Sequence, residues 1–69
     1  MKAKLLHLKR FQHRESNGLF SSRNYLDVRK DTIVNIVEKH SGPEKYLLSH
    51  RDLFCIAYPS DIELMNVDN

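Results

Sequence analysis

At 69 residues the chain has room for one domain, and a chain near that length buries only about 60% of the surface its unfolded form exposes, so its core must be thin. With 41% hydrophobic and 29% charged residues it is too apolar for a disordered chain and too charged for a membrane protein, and no stretch nears the roughly 20 apolar residues of a membrane span. A single cysteine rules out an internal disulfide framework, which points to a reducing, cytoplasmic setting.

The net charge of +2 hides an asymmetry. Eight Lys and Arg residues stand before Asp31 against two acidic ones, Glu15 and Asp27; from Asp31 onward three basic residues face seven acidic ones. Such a division suits nucleic acid, an anionic surface or an acidic partner, and it equally suits two halves that neutralise each other on folding.

In chain order, Met1–Arg10 begins like a signal peptide, with charge followed by leucines. His7 interrupts the apolar run and Lys9 ends it, short of the roughly 7–15 residues of a signal core. Met1 to Phe11 reads instead as a first strand, with Leu6 and Leu8 on its inner face. Ser16-Asn17-Gly18 is a turn, since Asn and Gly tolerate positive φ. Tyr25–Arg29 alternates, with Leu26 and Val28 on one face and Asp27 and Arg29 on the other. Thr32–Val37 has five β-branched residues in six positions, which suits a pleated strand. The same segment also reads as a helix over 31–40, with Asp31 as N-cap, Ile33, Ile36, Val37 and His40 on one face, and Gly42-Pro43 as the stop. Further turns fall at Ser41-Gly42-Pro43-Glu44 and Tyr58-Pro59-Ser60-Asp61, and further strands at Tyr46–Ser49, Leu53–Tyr58 and Ile62–Met65. The expected fold is one all-β domain over residues 1–69, a small barrel of five or six short strands, with α+β as the alternative if 31–40 is helical.

Two stretches resemble the SH3 family, over roughly residues 25–65. Leu26–Lys39 resembles its alternating strand, charged diverging turn and β-branched strand. Leu53–Met65 resembles its closing apolar strand, short helical turn beginning Pro-Ser, and last strand. The resemblance implies an SH3-like barrel and no specific function. The family's proline-peptide groove is lined by aromatic residues, and here there is no Trp, the first strand offers Leu6-His7-Leu8, and Ile62 stands at the usual Tyr position; only Pro59 carries over. A conventional polyproline site is therefore not expected.

Nothing in the sequence encodes catalysis. His7, His13, His40, His50 and Cys55 have no metal-ligand spacing, Cys55 has no neighbouring cation to make it a thiolate, and there is no paired-carboxylate element or Gly-rich phosphate loop. No catalytic residue, metal or cofactor is expected, and two glycines in so short a chain leave little room for a catalytic pocket. The basic half is the feature left: Lys2, Lys4, Lys9, Arg10, His13, Arg14 and Arg23 gather around a possible hairpin, with Phe11 and Phe20 between them. They would bind nucleic acid or an acidic partner if Phe11 and Phe20 are exposed for stacking, and form a solvated rim if those rings are core. The expected role is a protein-interaction module docking on a larger partner, an accessory or regulatory function suited to a chain this small. A nucleic-acid binder is the alternative, and no membrane is involved.

Overall fold

The computed structural model describes residues 1–42 and 44–65. The fold is all-β. Seven strands, β1 (Lys2–Leu5), β2 (Lys9–Arg14), β3 (Phe20–Val28), β4 (Ile33–Ser41), β5 (Glu44–His50), β6 (Leu53–Ala57) and β7 (Ile62–Met65), form one antiparallel sheet, and a 3-10 turn at Pro59–Asp61 joins the last two. The strand order is β3-β2-β6-β5-β4-β1-β7, with no pairing between the outermost strands among the described residues.

The sheet has to curl. β1 and β2 stand four places apart in the order, about 19 Å on a flat sheet with strands about 4.8 Å apart. The four links from Leu5 to Lys9 reach at most about 14 Å. Curling puts one face of every strand around a single core: Ala3 and Leu5, Phe11, Val28, Val34, Tyr46 and Leu48, Cys55 and Ala57, and Ile62.

The helix over 31–40 is absent, and that segment is β4. Asp31 sits at φ 72°, the left-handed region, where it cannot serve as an extended N-cap. Burial alternates with the period of a strand: Val34 is buried and Ile36 packs on the core, while Ile33 and Val37 are exposed.

Seven strands replace the expected five or six because the first expected strand is two. The chain bends at Leu6–Leu8, so the inward positions are Ala3, Leu5 and Phe11. Leu6 is only half-buried and Leu8 is 62% exposed, which corrects their assignment to the inner face. The bend is tied down on both sides, the Leu6 amide donating to the Asp61 carbonyl at 2.9 Å and the Asp31 amide to the Leu5 carbonyl at 2.8 Å.

The turn read at Ser16-Asn17-Gly18 joins β2 to β3, with Gly18 at φ 87° and Asn17 Oδ1 accepting from the Leu19 amide at 3.0 Å. Strands β4 and β5 reverse where a turn was read, Ser41 pairing with Glu44; Pro43 lies outside the described residues. A third reversal, at Arg51-Asp52, has no glycine. Both residues take positive φ, 51° and 64°, as the two-residue turn that matches strand twist requires.

Candidate functional site

The basic residues singled out in the sequence fall on three strands. Lys2 and Lys4 stand on β1, four places from β2 in the strand order, while Arg14 and Arg23 lie on the β2–β3 hairpin. Four of the seven face carboxylates: Lys4 lies 3.9 Å from Glu63, Lys9 3.3 Å from Asp61, Arg10 2.9 Å from Asp27, and His13 3.9 Å from Glu15. Among the described residues, Lys2, Arg14 and Arg23 have no carboxylate within ion-pair distance. Two of the acidic partners, Asp61 and Glu63, come from the C-terminal half, so folding uses part of the charge asymmetry internally.

Arg10 is the most organised of these cations. Both Nε and Nη2 donate to the Asp27 carboxylate, at 2.9 and 3.3 Å, and the guanidinium lies 4.1 Å from the centroid of the Tyr25 ring. The Asp27 carboxyl is held below its ordinary value first by the hydrogen bond from Arg10. Two of the guanidinium's five N–H donors are thereby committed to Asp27.

The two phenylalanines separate. Phe11 is fully buried and its ring meets His50 edge-on at 6.1 Å, so it is core. Phe20 is half-buried and lines an open groove of about 350 Å³ on the outer face of the sheet. The groove adjoins the single paired position that β2 and β6 share, Gln12 with Phe54. Leu8, Phe20 and Ile56 supply its apolar surface, with Lys9, Arg10 and Gln12 beside them. Gln12 is held by its own bond, Nε2 donating to the Ser21 carbonyl at 2.9 Å.

Cys55 reaches the same groove from the core side. It is 7% exposed, and burial raises its thiol above the ordinary value, with Lys9 opposing and Asp61 adding to the shift. Among the described residues, neither histidine nor carboxylate lines the groove. Among the described residues no three of His, Cys, Asp and Glu converge on a possible cation position, and no helix is long and apolar enough to cross a membrane.

Sequence reasoning missed the groove because its parts come from three places, Leu8 at the bend, Phe20 at the hairpin and Ile56 on β6. The available signal was Leu8, an apolar residue between His7 and Lys9 with the parity of the charged Arg10 rather than of Phe11.

The class these features define is a small all-β domain with one open, curled antiparallel sheet and an apolar groove on its outer face. No protein-family model matches the chain, nor does any curated protein or solved structure.

Proposed function

We propose that this chain is a non-catalytic protein-interaction module with an SH3-like fold, which docks on a larger protein partner through the groove between β2 and β6. The SH3-like reading is supported by element order. A diverging turn at 29–32 leads into the β-branched strand β4, the β5–β6 hairpin follows, and the Pro59-Ser60 turn precedes the last strand. No Trp and no aromatic pair at Ile62 supports a polyproline ligand, so the groove takes a different polypeptide.

The observation that carries the reading is the character of that groove. Leu8 and Ile56 are aliphatic, Phe20 is aromatic, and the neighbouring cation Arg10 is paired with Asp27. Leu8, 62% exposed beside this cavity, gains from burial under a partner's apolar side chain on the order of 1 kcal/mol or more. A nucleic-acid ligand would need a run of free cations, and four of the seven candidate basic residues already face carboxylates. The unpaired, buried Cys55 suits the reducing cytoplasm.

The test is a pull-down with wild type, Leu8→Asp and Arg14→Glu/Arg23→Glu as baits, each with and without nuclease. The interaction reading expects the same protein in the wild-type and double-arginine lanes, resistant to nuclease and lost with Leu8→Asp. Steeply salt-dependent shifting of DNA or RNA by wild type, abolished by Arg14→Glu/Arg23→Glu, would establish the nucleic-acid reading instead.

A further inference from the structure

Strand β6 is paired with β5 along its whole length, but with β2 at one position only. Arg51-Asp52 is a two-residue turn, so the pair that closes it, His50 with Leu53, exchanges both backbone bonds. Bonded and non-bonded pairs alternate along an antiparallel ladder. Leu48 with Cys55 and Tyr46 with Ala57 are therefore bonded pairs, while Phe54 and Ile56 turn their N–H and C=O groups away from β5. Phe54 meets Gln12 of β2. The next bonded position along that ladder is Ile56 with Arg10, and it is not paired. Arg10 shares the backbone direction of Gln12, so its own N–H and C=O point toward β6. Both Arg10 and Ile56 line the groove. The Ile56 carbonyl receives a weak bond from the Cys55 thiol, Sγ to O 3.4 Å.

We propose that the groove takes its partner as an extended strand whose backbone bonds the N–H and C=O of Ile56. This rests on the docking role proposed above and adds the form of the partner. A helix bonds its own backbone internally, so its side chains would strip water from Ile56 and Arg10 without replacing the bonds. An extended chain presents a donor and an acceptor at every residue, alternately to its two sides, and adds to strands whose groups are open.

The groove also selects the side chains of that strand. One alternate set covers Leu8, Phe20 and Ile56 and is apolar; the other faces Cys55, on the core side, and is small. The charged residues of the lining are Lys9 and Arg10, the Arg10 side chain 54% exposed, so acidic residues complement it at the ends of the segment. Tyr58 closes the ladder: its amide donates to Asp61 Oδ2 at 3.0 Å and its carbonyl accepts from the Asp61 amide at 2.8 Å. With Phe54 engaged before it and Tyr58 after it, Ile56 offers a short ladder and weak binding.

Two measurements on the full chain test this. In the free protein the Ile56 amide exchanges with solvent faster than those of Cys55 and Ala57, which are bonded to β5. Titration to about 1 mM with a capped peptide alternating valine and serine between terminal glutamates shifts the Ile56 amide resonance and slows its exchange. Methylating the peptide's amide nitrogens at every second residue, in two versions that cover its two edges, weakens binding about tenfold or more in at least one version. An Ile56 amide as slow as Cys55 in the free protein, no shift at Ile56 at the highest peptide concentration, or both methylated peptides binding like the parent would overturn strand addition. If any of these is found while Leu8→Asp still abolishes capture of the partner, the docking role stands without it; capture indifferent to Leu8→Asp would overturn both.

Discussion

Lys9 Nζ donates to Asp61 Oδ2 at 3.3 Å across 52 positions of sequence, and the same carboxylate oxygen accepts from the Tyr58 amide at 3.0 Å. One side chain thus joins the start of β2 to the 3-10 turn before β7, at the place where the curled sheet brings its first and last elements together. The Asp61 backbone adds to the joint, its carbonyl accepting from the Leu6 amide at 2.9 Å and its amide donating to the Tyr58 carbonyl at 2.8 Å.

Asp61→Asn should cost about 1 kcal/mol near neutral pH, from the lost cap and ion pair. The Asp61 carboxyl is held below its ordinary value of 3.8, first by the Tyr58 amide, which outweighs the opposing effect of burial, with Lys9 lowering it further. Its folded pKa is therefore lower than its unfolded one. The contribution is complete above the unfolded value and fades as pH falls through the folded value. Thermal melts near pH 7 and near pH 3 should show wild type losing more stability than Asp61→Asn, so that the gap between them narrows in acid. An equal gap at both pH values would contradict this.

Phe11→Ala should remove about 3–5 kcal/mol, since its ring is fully buried and the cavity cannot collapse in so thin a core. A chain of 69 residues has about 3–10 kcal/mol in all, so this variant should lose a large share of its stability and unfold at markedly lower denaturant by circular dichroism. Phe20→Ala, at the groove, should stay folded and lose partner binding.

The Arg51-Asp52 turn holds two non-glycine residues at positive φ, a conformation that costs an L-residue about 1 kcal/mol or more. Replacing the pair by Asn-Gly, which the turn prefers, should raise stability by about 1 kcal/mol and the melting temperature by about 4–8 °C. No change, or a loss, in denaturant titration would mean that these two side chains stabilise the folded state in some other way.

Cys55 should resist thiol reagents while the protein is folded, because it is buried and burial raises its pKa. Labelling should follow the unfolding transition in denaturant. Rapid labelling of native protein would show that the groove opens far enough to expose the thiol.

Much of the fold was readable from local pattern. β-branched density in Thr32–Val37, alternation in Tyr25–Arg29, and the signals at Asn17-Gly18 and Pro59-Ser60 act over a few residues, where backbone sterics decide, and the strands and reversals fall there. The burial of Cys55 followed from its apolar neighbours. Three features were not legible. Met1–Phe11 could not be divided into β1 and β2, because the bend at Leu6–Leu8 is held by Asp61 and Asp31, residues whose arrival there depends on the curling of the sheet. The Arg51-Asp52 turn carries no Gly or Asn, and its positive φ values are imposed by the strands it connects. The choice between Phe11 as core and Phe20 as groove, and the neutralisation of Lys9 by Asp61 and Arg10 by Asp27, rest on strand pairing across distant positions. Local sequence sets what each segment prefers; which side chains meet, and which cations remain free, is decided when long-range pairing fixes the register of the sheet.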